Sequence, residues 1–357
     1  YVLVPLLGAG MCAAPAVTRP TLQFGVRVPP AHLGAAVIRR ERRAYYWRSA
    51  AVAVLCAAMA IIFWRSGSWW LPRILLVLEL AADTCCIWLA RRKIIAVKTG
   101  EGWFAGLRQT VVADTSWRTQ PQPFPVLWLI PAVSVIATTL VIGVIRYPHL
   151  PDHLAIGLAT PGTRQVPRSP VSAFALVIGQ LFVTGVWTGL MVLVYRSRPD
   201  IDPADPVASL RGYRRLLDSY SRAALTLLAL VDLTFLLGAL QRWQLYQLRG
   251  ASAGLPALPA VAGVLLLIAV AMRAGRDRGR QAGSQHPGRD AAAGWDDDRF
   301  WKAGLVYVNR TDPAIMVTAR VGVGWTFNFG NPAAWLIIAA VIATAVGLEV
   351  IRIAAGM

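Results

Sequence analysis

Glu79 and Asp83 stand four residues apart in a mostly apolar stretch. At that spacing a helix sets both carboxylates on one face. Ionisable groups at membrane depth are costly and mark candidate functional positions, so the pair suits proton or cation handling. Gln180 and Asp232, in two later apolar runs, would complete a polar interior, with Arg73 or Arg242 at span ends able to neutralise the acids as buried pairs instead. His149 and His153 bracket Asp152 at helical spacing, but two histidines and one carboxylate make a thin ligand set, and Pro151 distorts the spacing. The four cysteines, Cys12, Cys56, Cys85 and Cys86, lie in apolar segments without a C-x-x-C arrangement and read as packing residues. No nucleotide loop, nucleophile triad or metal motif is present. The expectation is a protein that is not an enzyme and carries no cofactor.

These residues must be positioned by elements that suit a bilayer. The 357-residue chain is 56% hydrophobic and 15% charged, with a mean hydropathy of +0.51. That is too apolar for a soluble domain of this length. Spanning segments must satisfy their own backbone groups, and long unalternating apolar runs do so as helices, not barrel strands. The spans read as 1–17, 50–64, 70–90, 125–145, 171–194, 223–240, 255–272 and 334–351, each near the ~20 residues a crossing needs. The expected fold is an all-α membrane protein, a bundle of about eight transmembrane helices.

Lys and Arg in successive loops number 7, 2, 6, 3, 6, 2, 9 and 1, so odd loops carry 28 of the 36. The positive-inside rule then makes the odd loops and 273–333 cytoplasmic and puts both termini outside. It also accounts for the net charge of +18 without direct nucleic acid binding; the bilayer is the expected partner. Trp69, Trp70, Trp128, Trp187 and Trp243 fall near span ends, as an aromatic belt would. The Gly-, Arg- and Asp-rich stretch 273–299 reads as a flexible tether. The chain divides into an N-terminal region (1–146), an outer loop with the next helices (147–272), this linker (273–299), and a module with the last helix (300–357).

Two loops carry dense motifs. Tyr147-Pro148-His149-Leu150-Pro151-Asp152, with Gly162 beyond, is a run in which the prolines fix φ and Asp152 could cap a short helix. It resembles the Y-P-x-L-P-D signature of a bacterial membrane domain of unknown function that also forms the front part of SdpI-type toxin-immunity proteins. That resemblance implies a His and an Asp where this chain has Gly157 and Gln165, so a ligand role for those two does not carry over.

The second motif holds Trp301, Gly304, Tyr307, Asn309, Asp312 and Pro313, then Arg320, Gly322, Gly324, Trp325, Thr326 and Asn328. It is similar to a C-terminal module of uncharacterised actinobacterial and Firmicute membrane proteins. Residues 307–309 and 315–317 are β-prone runs separated by turn formers, which predicts a small hairpin, with Trp301 and Trp325 at headgroup level. Phe24, Gly25, Arg27 and Pro29, in the first loop, resemble an F-G-x-R-x-P run of the same families and are expected to pack against Arg320 to Trp325. Arg39, Arg40, Arg42 and Arg43, with Tyr45, Tyr46 and Trp47, form a basic aromatic stretch suited to anionic headgroups. The resemblance implies protection against, or sensing of, membrane-active peptides in the bacterial cytoplasmic membrane, with a peptide toxin or a cytoplasmic transcription repressor as partner. The intramembrane acids make a proton- or cation-coupled transporter the alternative; a non-catalytic scaffold subunit is a third.

Overall fold

The computed structural model describes residues 3–63, 71–107, 109–110, 122–155, 165–201, 205–248, 250–283 and 293–354. Among the described residues it is 71% helical, with eight α-helices. In chain order these are α1 (Leu3–Val17), α2 (Ala36–Phe63), α3 (Leu71–Gly100), α4 (Ile130–Arg146), α5 (Pro170–Tyr195), α6 (Pro206–Arg242), α7 (Leu258–Gly283) and α8 (Pro332–Ala354). Among the described residues six are long and apolar enough to cross a membrane; α1 and α3 are not among them. The described part of α1 has 15 residues, and α3 carries Arg73, Glu79 and Asp83 within its apolar half.

Several helices outrun their apolar cores. α2 begins at Ala36 and α6 at Pro206, because the polar turns before each apolar run continue the same backbone hydrogen bonding. α7 likewise runs to Gly283, so residues 273–283, read as tether, are helical. Residues 284–292, Trp69, Trp70, Gly157 and Gly162 lie outside the described residues.

The chain forms two compact units. The first comprises residues 1–121, 197–214 and 271–332, and the second 122–196, 215–270 and 333–357. In the first, α1, α2 and α3 pack mutually. Their core joins Ile38, Tyr45, Cys86, Ile87, Ala90 and Ile94 to Phe24, Val26 and Val28 of the following loop. Four short pairings belong to this unit. β1 (Leu22–Gln23) pairs antiparallel with β2 (Val26–Arg27), and β3 (Gln109–Thr110) runs parallel to β6 (Ala293–Gly294). β7 (Trp301–Lys302) pairs with β8 (Val306–Tyr307), and β9 (Met316–Thr318) with β10 (Trp325–Phe327). The expected hairpin between 307–309 and 315–317 is therefore replaced by two hairpins. Ala303 and Gly304, both at positive φ, turn the chain inside the first, and Gly322 and Gly324 do so in the second.

In the second unit, Ser169 opens α5 with a capping box to Ser172, and Pro170 stands in the first turn. A Cβ on Gly143 would lie 2.7 Å from Phe174 and 2.8 Å from Trp243, so this glycine permits the close approach of α4. Trp243 is buried and donates its indole N–H to the Ala173 carbonyl at 3.0 Å. It anchors this core and is not part of an aromatic belt. β4 (His153–Ala155) pairs antiparallel with β5 (Gln165–Pro167).

Candidate functional site

In the first unit, Phe24 and Gly25 have φ of 50° and 74° and close a two-residue turn between β1 and β2. Positive φ at both central positions is the type I′ geometry that matches strand twist. The turn packs against the one at Gly304: a Cβ on Gly25 would stand 2.5 Å from the Gly304 carbonyl oxygen. Phe24 is held over Tyr45 of α2, with ring centroids 5.2 Å apart. The Gly25 carbonyl accepts from Arg91 of α3 at 2.5 Å and from Arg320 at 2.8 Å.

Around this point lies a charged cluster. Arg27 meets Asp297 at 3.1 Å and Asp200 at 3.3 Å, and its backbone N–H donates to Asp298 at 3.0 Å. Arg320 pairs with both Asp297 and Asp298, its guanidinium 4.9 Å above the Trp301 ring. Lys98 reaches Asp298 at 2.6 Å and Asp296 at 2.8 Å. Arg19 adds a 2.9 Å contact to Asp200, and Arg91 also donates to the Trp301 carbonyl at 3.1 Å. Four stretches, 19–27, 91–98, 200 and 296–320, converge on one clamp.

Its electrostatics follow from this geometry. Burial would raise the Asp200 carboxyl, but the charges of Arg27, Arg19 and Arg320 outweigh it and hold the group well below the usual carboxylate range. Burial is likewise overcome at Asp298, by Arg320 and Lys98. Arg27, although burial opposes its charge, is raised above its ordinary value by Asp200 and Asp297.

Beside the clamp a hydrogen-bonded network orders the stretch before α8. The buried Asn328 donates to the carbonyls of Asn309, Asp312 and Ala314 at 2.9–3.1 Å and accepts from the N–H groups of Asn309 and Gly330 at 3.0 Å. Tyr307 donates to Asp312 at 3.0 Å, which also pairs with Arg198 at 3.1 Å. Asn309 accepts from the backbone and hydroxyl of Thr311, an Asx turn. Trp325 donates to the Tyr213 hydroxyl at 3.0 Å, the Gly322 N–H to Thr18 at 2.7 Å, and Thr326 sits opposite Val317. Pro313 offers its carbonyl to Asn331 at 3.0 Å, and Pro29 leads from β2 into a short 3₁₀ turn. Trp301 is buried against Tyr307 and Val317, so it belongs to the module's own core.

Glu79 and Asp83 also belong to the first unit. Both are fully buried. Ser49 of α2 donates to Asp83 at 2.7 Å and accepts from Cys12 of α1 at 3.3 Å. Neither Glu79 oxygen, nor Oδ2 of Asp83, has a hydrogen-bond partner among the described residues. In the second unit, Gln180 donates to Thr139 at 3.1 Å and to the Asp232 carbonyl at 2.8 Å, and Thr184 donates to Asp232 Oδ2 at 2.8 Å. Asp232 Oδ1 has no partner there. Arg242 does not neutralise Asp232: it donates to the Ser172 carbonyl at 3.2 Å.

The outer motif is built around a 3₁₀ turn, Tyr147–His149, with Pro148 inside it. Leu150 is buried with Leu154, Val166 and Trp243. After Pro151, Asp152 leads into β4 and so caps no helix; it accepts the Arg168 backbone N–H at 2.7 Å and pairs with the Arg168 guanidinium at 3.4 Å. Among the described residues no group of three His, Cys, Asp or Glu could hold a metal ion.

Sequence reasoning named Arg27 and Arg320 but missed Asp200, Asp296, Asp297, Asp298, Arg91 and Lys98. The run of three aspartates within a charge-alternating stretch was the available signal. With six membrane-length helices, the chain is a multi-pass membrane protein. A model described as a family of unknown function, DUF5808, matches residues 310–335, the stretch from the Asx turn through β10 into α8. No curated protein and no solved structure matches the chain.

Proposed function

We propose that this is a non-catalytic protein of the bacterial cytoplasmic membrane that senses, or protects against, membrane-active peptides, similar in role to SdpI-type immunity proteins. The clamp is its cytoplasmic reporter. The observation that carries this reading is the convergence of four distant stretches on Asp200 and Asp296 to Asp298. A peptide that displaces α1 or α3 must strain these ion pairs, and the buried module beside them then presents a changed face to a cytoplasmic repressor.

Chain parity supports a seventh crossing. Arg27 pairs with Asp297, so both lie on one side of the membrane. Between them run five of the six membrane-length helices, which alone would leave the two residues on opposite sides. Counting α3 makes the number even. With α1 as the eighth span, the clamp lies on the side where Lys and Arg concentrate.

Deleting the gene should sensitise cells to membrane-active peptides, and the wild-type chain, but not Arg320→Ala, should restore resistance. Unchanged sensitivity across a peptide panel would overturn the proposal. A second reading, proton- or cation-coupled transport, draws on the unpartnered carboxylate oxygens of Glu79, Asp83 and Asp232. It requires pH-dependent flux in proteoliposomes that disappears when all three become neutral isosteres.

A further inference from the structure

The first turns of α2 carry Arg39, Arg40, Arg42 and Arg43 around a single acid, Glu41. Glu41 is turned inward and buried, where Lys93 holds it at 3.0 Å and Arg48 at 3.6 Å. The four arginines therefore have no carboxylate partner among the described residues. Arg39 donates to the Gly34 carbonyl, which fixes its direction. Arg39, Arg40 and Arg43 are exposed, and Trp47, one turn beyond Arg43, is 74% exposed.

At i, i+4 and i+8, residues 39, 43 and 47 form one ridge of the helix. Two shallow concavities flank it, one lined by Arg39, Arg42, Arg43, Tyr46 and Trp47 and the other by Arg39, Arg40, Arg43, Ala44 and Trp47. Further along the same helix Val54, Leu55, Ile61 and Ile62 are all exposed, with Leu55 two turns beyond Trp47 on the same row, and the helix is long and apolar enough to cross a membrane. Cationic forks at the top, an amphipathic ring at the boundary and a bare apolar stripe below match a phosphate, a glycerol backbone and acyl chains in that order.

We propose that this ridge is a binding site for an anionic phospholipid, its phosphate held by Arg39 and Arg43 with Arg40 or Arg42 alongside, and its chains laid along Trp47 and Leu55. Nucleic acid phosphate would satisfy the arginines but leave the apolar stripe without a counterpart, so a lipid is favoured.

The test uses the full chain in detergent, delipidated and then given phosphatidylglycerol, phosphatidylcholine, inorganic phosphate or a short RNA. Phosphatidylglycerol alone should raise Tm by several degrees, and about one molecule should survive washing, as read by native mass spectrometry. In Arg39→Gln, Arg40→Gln, Arg43→Gln the shift should vanish while the lipid-free Tm stays put, since these groups support no other described contact except that to Gly34. Each neutralised arginine should weaken retention about fivefold. Equal shifts with phosphatidylcholine, a full shift with phosphate or RNA, or undiminished phosphatidylglycerol retention in the triple variant would each overturn the assignment. Should the triple variant fail to fold, Trp47→Ala serves instead, and phosphatidylglycerol retention equal to wild type would count the same way.

Discussion

Arg320 touches the Gly25 carbonyl, Asp297 and Asp298 while only 2% of its side chain is exposed. Its removal takes two ion pairs from the clamp, but Arg27 still holds Asp297 and Lys98 still holds Asp298, so the cost is about 1–3 kcal/mol. Arg320→Ala should lower the opening free energy of the Gly25 to Val28 amides by that amount in hydrogen exchange. Arg320→Lys, a point charge in place of a fork, should recover less than half; full recovery would mean charge alone holds the loop. The clamp's pH response follows from Asp200 and Asp298, whose folded carboxyls sit below their ordinary values. Such groups contribute stability that is complete above about pH 4 and lost as pH falls through the folded value. Exchange protection, corrected for intrinsic rates, should therefore be level through neutral pH and fall only in acid. A midpoint near pH 6 would show that a different group controls the module. These acids were hard to read in advance because a charge in a Gly- and Arg-rich stretch looks solvated until its partner, 198 residues away for Lys98 and Asp296, is known.

At the scale of elements, the apolar helices were legible because hydrocarbon selects for long runs without charge. Their ends were not, because α2, α6 and α7 continue into polar turns that hydropathy does not distinguish from loop. The hairpins were misread for a related reason. Strand propensity located residues 307 and 316, but pairing was decided by the positive-φ turns at 303–304 and 322–324 and by Asn328, whose side chain bonds the backbone of Asn309, Asp312 and Ala314 and so holds the link between the two runs away from a hairpin turn. Gly25 is where this is most exposed to test. Alanine there must hold φ near 74° and push its Cβ into the Gly304 backbone, a strain of about 1–3 kcal/mol. Gly25→Ala should lower the Tm of the full chain and loosen exchange at both turns together, whereas Gly10→Ala, inside α1 with open space around its Cβ, should do neither. Loosening confined to the first turn would show that the two turns do not depend on each other.

For the whole molecule, the proposed topology turns on one ion pair. On the proposed topology three membrane-length helices separate His149 from Arg310, which sets these residues on opposite sides whether or not α1 and α3 cross. Ala31 shares the loop of Arg27, and the contact of Arg27 with Asp297 commits it to the side of Arg310. The proposal therefore has α3 cross despite Glu79 and Asp83, which a helix can do when its acids face other helices; both are fully buried, with Ser49 and Gly8 beside them. Single cysteines at Ala31, His149 and Arg310, all exposed, in a background where Cys12, Cys56, Cys85 and Cys86 are alanine, convert this into a labelling pattern. A membrane-impermeant maleimide applied to intact cells should modify position 149 and reach 31 and 310 only after permeabilisation. Labelling of 31 together with 149 would mean that α3 does not span, and the ion pair between Arg27 and Asp297 could then not form in the membrane. Labelling of 310 and 31 but not 149 would keep the clamp and invert the whole chain, so the excess of Lys and Arg in the odd loops would have failed to set its orientation.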